Sequence, residues 1–193
     1  MSGAAGYPAS VTRQPFLNFD PIERAGRLWE QHWPDEDPAV YASMRAVTSI
    51  MRAHQILIAE LDAILRPYGI TFSRYEALVL LSYSRDGSLP LSKIGERLQV
   101  HATSVTNVVD RLEAAGLVRR EPNPRDGRGT LATIPDAGRE VVAKATAEFN
   151  AARFAMSAIG LADLKSLFAI LRELRLDAED FNPDGHGNDP RRR

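Results

Sequence analysis

Between His101 and Arg111 the chain carries a set of side chains suited to one chemistry. His101, Thr103, Ser104, Thr106, Asn107 and Arg111 fall on one side of a helical projection, while Val105, Val108, Val109 and Leu112 fall on the other. Short hydroxyl and amide groups can hydrogen-bond to base edges or phosphates without holding a helix away from the floor of the major groove. Arg111, on the solvent side, is placed to meet a phosphate. The plain alternative is that the Ser and Thr residues only cap the start of a helix, which is their commonest use. A second cluster bears on the choice. The turn-rich loop Pro122-Asn123-Pro124-Arg125-Asp126-Gly127-Arg128 carries two arginines just after the helix. A basic hairpin tip fits the narrow minor groove, where arginine is favoured. Asp126, two residues from Arg128, can pair with it and hold the guanidinium rigid. The plain alternative for this loop is a solvated turn.

Bulk properties neither announce nor forbid nucleic acid. The net charge is −1 over 193 residues, but the window from Lys93 to Arg128 holds seven basic and five acidic residues, a balance of +2 (7 − 5). That excess is mild, and its placement matters more than its size. Catalytic chemistry finds no support. The 4 histidines, His32, His54, His101 and His186, lack metal-ligand spacing, and there are 0 cysteines. No phosphate-binding loop and no nucleophile elbow occur. The expectation is therefore no enzyme, no metal and no cofactor. No apolar run is long enough for a membrane span and no signal peptide is visible, which leads us to expect a cytoplasmic, nucleoid-associated protein.

The elements that must position these clusters can be read from periodicity. Residues 1–19 are expected to be a disordered tail. Asp20-Pro21 reads as an N-cap followed by proline at the first helical position, opening a short accessory helix to about Trp33. A long helix is expected over about 39–67, with Val40, Met44, Val47, Met51, Ile58, Leu61 and Leu65 recurring at spacings of three, four and seven. Gly69 suits its C-terminus, and Thr71 or Ser73 caps the next helix, which carries Tyr75, Leu78, Val79 and Leu81. After a turn at Asp86-Gly87 come helices over about 92–98 and 103–115, the second ended by Gly116 in a left-handed conformation. Gly95 is small where the second helix would cross, with Val105 as the apolar contact. Residues 117–120 and 129–133 read as strands around the basic loop. A long helix over about 136–157 and a last helix over about 161–176 follow, the latter with Leu164, Leu167, Phe168, Leu171 and Leu174 as its stripe. Residues 179–193, ending in Arg191-Arg192-Arg193, are expected to be a disordered tail. The fold class expected is mainly α with a small β-wing: a winged helix-turn-helix over about 70–135, flanked by helical regions over about 39–68 and 136–178.

The run Val105-Thr106-Asn107-Val108-Val109-Asp110-Arg111-Leu112-Glu113-Ala114-Ala115-Gly116-Leu117-Val118-Arg119-Arg120 resembles the recognition helix of the MarR family of transcriptional regulators. Pro124-Arg125-Asp126-Gly127-Arg128 and Ala137-Gly138-Arg139 follow at that family's spacing, and the resemblance covers about residues 39–176. It implies that Asp126 and Arg128 lie on the wing. It implies a homodimer, built from the long helices, that reads a pseudo-palindromic operator in double-stranded DNA. One departure concerns Pro135, where the family usually has threonine, and it puts the cap of the following helix in doubt.

The resemblance further implies a small aromatic or anionic ligand whose binding releases the protein, acting as a repressor, from DNA. Trp29, Arg45, His54, Tyr68, Arg74 and Tyr75 are the candidates for such a site. For His54 and Tyr75 ordinary core packing is the plainer reading. Leu28-Trp29-Glu30-Gln31-His32-Trp33-Pro34 resembles the extra helix of the family's urate-responsive branch. Here Glu76 and Val108 stand where that branch has an aspartate and an arginine. Without that arginine there is no cation to hold an anionic purine, so urate is not expected. The rival readings are a winged-helix protein-interaction module and a DNA binder insensitive to any ligand.

Overall fold

The computed structural model describes residues 17–124 and 129–182. The chain divides into two compact units, Met1–Ala63 and Ile64–Arg193.

The first unit is helical. Helix α1 spans Pro21–His32 and α2 spans Pro38–Leu65, ending just past the unit boundary. Asp20 caps α1 as its sequence predicts: its carboxylate accepts from the backbone N–H of Ile22 at 2.8 Å and of Glu23 at 3.3 Å, two of the donors a helix start leaves unpaired. Arg45 of α2 reaches back to α1, with ion pairs to Glu30 at 2.8 Å and Glu23 at 3.5 Å. Most of the apolar stripe on α2 is uncovered in the single chain: Val47 is 61% and Met51 59% exposed.

In the second unit a 3-10 turn, Arg66–Tyr68, leads to α3 (Phe72–Tyr83), β1 (Ser88–Pro90), α4 (Leu91–Leu98), α5 (Ala102–Ala114), β2 (Arg119–Pro122), β3 (Thr130–Thr133), α6 (Asp136–Ala151) and α7 (Leu161–Asp177). The sheet order is β1-β3-β2, with both pairings antiparallel: Leu89 lies opposite Ala132, and Arg120 opposite the same residue on the other side. Prolines 90 and 122 sit at the ends of the two edge strands, where a missing N–H breaks no ladder. The core of this unit is drawn chiefly from α3 to α6: Leu78 and Leu81 of α3, Ile94 of α4, Val109 and Leu112 of α5, Val118 before β2 and Phe149 of α6 are fully buried. Each such side chain contributes about 1.5–3 kcal/mol by leaving water.

Two glycines show why the helix-turn-helix closes. A methyl group at Gly95 would stand 3.1 Å from Val105 Cγ2 and 3.2 Å from the Val100 carbonyl oxygen, tighter than Cβ atoms ordinarily pack, so α4 and α5 cross at a spacing that a larger residue would have to loosen by a few tenths of an ångström. Gly116, at φ 71°, takes the left-handed conformation that ends α5.

Three features depart from the sequence expectation. The strand after α5 begins at Arg119, not at residue 117, because Leu117 and Val118 turn inward as buried core. The third strand, β1, was not anticipated; three residues beside a Gly turn carry too little pattern to register. Helix α6 ends at Ala151, short of residue 157, because Arg153, Phe154 and Ala155 all take positive φ (48°, 51° and 61°) in a 3-10 turn. No glycine or proline marks that break. It is held by Phe154 stacking on Phe149 (centroids 5.1 Å apart) and by Arg153 donating to the carbonyls of Ser157 and Ile159. Pro135 stands at the N-cap of α6 and offers no side-chain cap bond, in line with the doubt its presence raised.

Candidate nucleic-acid interface

Helix α5 is two-sided. Val105, Val109 and Leu112 are buried against the head, whereas His101, Thr103, Ser104, Thr106, Asn107 and Arg111 are all exposed. Thr103 N–H donates to His101 Nδ1 at 3.3 Å, so His101 is the N-cap, a role its neutral ring can fill. The Thr103 hydroxyl lies 3.1 Å from the same nitrogen. The Thr106 hydroxyl donates to the Ala102 carbonyl at 3.1 Å, which spends its proton but leaves its oxygen free to accept. Capping thus accounts for His101 and leaves Ser104, Asn107 and Arg111 on the outer face. Arg111 has no ion-pair partner among the described residues.

One cation that the sequence reading counted only towards charge organises the site. Arg120, on β2, bonds Asp110 at 2.6 Å through Nη2 and Glu113 at 2.7 Å through Nη1. Its backbone N–H also donates to Glu113 Oε1 at 3.1 Å. The guanidinium fork therefore braces the hairpin to the middle of α5, with geometry that a lysine could not reproduce. Partial burial pulls the Arg120 pKa down, but the hydrogen bonds to Asp110 and Glu113 outweigh it and hold the pKa above its usual value. Asp110 and Glu113, three apart on α5, share one helical face, but nothing in the sequence ties Arg120 to them, because it stands on a different element.

The hairpin is closed at its base by Asn123 N–H donating to the Gly129 carbonyl at 2.9 Å. Arg125, Asp126 and Arg128 lie outside the described residues.

The six ligand candidates fall in both units. In the first, Trp29 is 40% exposed and tilted against Trp33, with ring centroids 4.6 Å apart. Arg45 is engaged by the two α1 carboxylates already described, and His54 is exposed on α2 in the single chain. In the second, the Tyr68 hydroxyl donates to Glu148 at 2.6 Å, and this bond pushes its pKa up to about 12. Tyr75 is buried, with its hydroxyl 2.7 Å from Thr146 Oγ1 and its ring 4.7 Å from that of Phe149, as core packing requires. Arg74 is half-buried on α3. Among the described residues no group of His, Cys, Asp or Glu could hold a metal ion, and no helix is long and apolar enough to cross a membrane.

Comparison with known proteins points one way. The sequence model of the MarR family matches residues 70–130, the whole helix-turn-helix and the start of the third strand. A regulator from Bacillus subtilis (strain 168), the uncharacterized HTH-type transcriptional regulator YhbI, is 32% identical over 127 residues, covering 66% of this chain and 72% of that protein. The crystal structure of Sco5413, a MarR family transcriptional regulator from Streptomyces coelicolor, is 58% identical and superposes with a TM-score of 0.68 over 73% of this chain and 98% of its own. Sco3205, a MarR family regulator of the same organism solved in complex with DNA, is 28% identical with a TM-score of 0.66, over 78% of this chain and 94% of its own.

Proposed function

Because the chain belongs to the MarR family of transcriptional regulators, we infer that it binds double-stranded DNA in a sequence-specific way, as a homodimer, and acts as a regulator and not as an enzyme. The observation that carries this reading is the two-sided α5: an apolar inner face seated by Gly95 and Val105, and an outer face of short polar groups. We assign His101, Thr103, Ser104, Thr106, Asn107 and Arg111 to the major groove and its phosphates. Arg125, Asp126 and Arg128 are assigned to the minor groove. The head is taken as about residues 70–135, with the helices on either side serving the dimer.

The dimer reading is supported by surface left in water. No residue of α7 is buried in the single chain, and Phe168 and Ile170 are 65% and 67% exposed. Large apolar side chains left exposed in this number on one helix mark an interface. A two-fold dimer would read half-sites about one helical turn, roughly 34 Å, apart. We further read the output as repression, relieved by a small aromatic or anionic ligand.

The test is a salt titration by fluorescence anisotropy, comparing the duplex upstream of the protein's own reading frame with a random duplex. A preference of about a thousandfold or more, weakening steeply with salt, is the expected result. Equal and weak binding to a panel of upstream duplexes and to random DNA would instead make the chain a protein-interaction module.

A further inference from the structure

A mostly apolar groove of about 350 Å³ opens between α4 and α5. Leu91 and Gly95 of α4, Val100 of the turn, and Ala102, Val105 and Thr106 of α5 form its walls. Gly95 and Val105 are buried, whereas Val100, Ala102 and Thr106 are exposed, so the groove leads from the outer face of α5 down to the helix crossing. Gly95 leaves its floor bare of any side chain. Hydrogen bonds hold the walls in place: the Val100 N–H donates to the Gly95 carbonyl at 3.1 Å, and the Val105 N–H to the His101 carbonyl at 3.2 Å. The proton of the Thr106 hydroxyl is spent on the Ala102 carbonyl, so to an apolar neighbour this residue offers its methyl group. Ser92 and Glu96 supply a polar rim, and Glu96 is ion-paired with Lys93 at 2.6 Å. A carboxylate at the rim disfavours an anionic occupant.

The groove is continuous with the surface assigned to DNA, since Thr106 belongs to both. A helix seated in the major groove meets hydrogen-bond donors and acceptors on every base pair, but only one apolar group, the 5-methyl of thymine. An apolar recess beside the hydroxyls and amide of α5 matches that group and no other on the base edges. We propose that the groove between α4 and α5 is a thymine pocket: it takes the 5-methyl of one thymine in each half-site and so selects a T·A pair over C·G at that place. The inference rests on the DNA-binding reading above and deepens it, naming the base that the apolar wall reads. Leu91, Val100 and Ala102, to which no DNA contact was assigned, thereby become determinants of sequence preference. Burying one methyl group is worth about a fourfold change in affinity.

The experiment uses the full chain and its preferred duplex. Thymines are replaced by deoxyuridine, which lacks only the methyl group, one symmetric pair of positions at a time, and affinity is read by fluorescence anisotropy. At one pair the affinity is expected to fall about fifteenfold, roughly fourfold for each half-site. That pair is then measured with Leu91→Ala, which removes a wall of the groove, and with Thr106→Ser, which keeps the hydroxyl and removes the methyl. Both variants are expected to bring the thymine-to-deoxyuridine ratio towards one. The ratio compares two duplexes on the same protein, so a general loss of affinity in a variant cancels. Specific binding that is indifferent to the methyl group at every position overturns the pocket alone. A sensitive pair whose ratio neither variant alters also overturns it, because the methyl group then acts elsewhere or through duplex shape. An unaltered chain with no preference among duplexes would sink the functional reading, and the pocket with it.

Discussion

Helices α5 and α7 both present an uncovered face to water, and the two faces are opposites. The outer side of α5 holds hydroxyls, an amide and an arginine, while its inner side is fully seated in the core. Helix α7 exposes Leu167, Phe168, Ile170 and Leu174, each 40% exposed or more, and none of its residues is buried. A polar face on a rigidly held helix loses nothing while it waits, since water satisfies it. An apolar face remains in water at a cost until something covers it. The first suits a partner that comes and goes, such as DNA; the second suits a permanent one, such as another copy of the chain. The brace differs in the same sense. Arg120 fixes α5 through two carboxylates, a polar fastening suited to setting an orientation.

That contrast is open to direct attack. The largest effect is expected from charging the apolar face: Phe168→Asp together with Ile170→Asp should weaken self-association by more than about a hundredfold, since each side chain is worth about 1.5–3 kcal/mol when buried. Sedimentation equilibrium reads this, and a dimer undisturbed at micromolar concentration would remove α7 from the interface. Next comes the brace. Arg120→Ala leaves Asp110 and Glu113 facing each other and should cost the fold about 1–2 kcal/mol in urea melts, after allowance for solvent screening of a partly exposed pair. Operator affinity should fall about tenfold or more with the dimer intact. Arg120→Lys should recover only part of that loss, since it supplies charge without the fork.

On the polar face, Thr106→Ala or Asn107→Ala should cost about 1–3 kcal/mol on the preferred duplex and almost nothing on random DNA, if either reads a base. Equal losses on both would demote that residue to a phosphate contact. The smallest change is expected from Arg128. Arg128→Ala should reduce the salt slope by about 0.9, with little change in sequence preference. Unchanged binding in the Thr106, Asn107 and Arg128 variants together would move the DNA surface off this face altogether.

Much of the head was readable before any coordinates. The 3.6-residue spacing of Val105, Val109 and Leu112 predicts the buried side of α5 and, by subtraction, its free side. Gly95 and Gly116 mark the crossing and the stop, because small size and left-handed backbone each have few other bearers. The break after Ala151 was not readable. Its left-handed residues are Arg153, Phe154 and Ala155, whose cost is offset by a ring stack and two carbonyl bonds that exist only once the chain has folded. Arg120 was visible as a charge but not as a brace, since its partners lie seven and ten residues back on another element.

Sequence alone therefore determined what is local and periodic: the helices, their apolar sides, the turn glycines and the polar outer face of α5. Tertiary structure decided what depends on distant groups meeting. It added β1 to the sheet opposite Ala132 and turned Leu117 and Val118 inward. It also joined Arg120 to Asp110 and Glu113, and set Gln99 against Asp180. The division has a physical reason. Periodicity and backbone preference act within one turn or one strand, whereas ion pairs and long hydrogen bonds form only where the packed core has already fixed both partners.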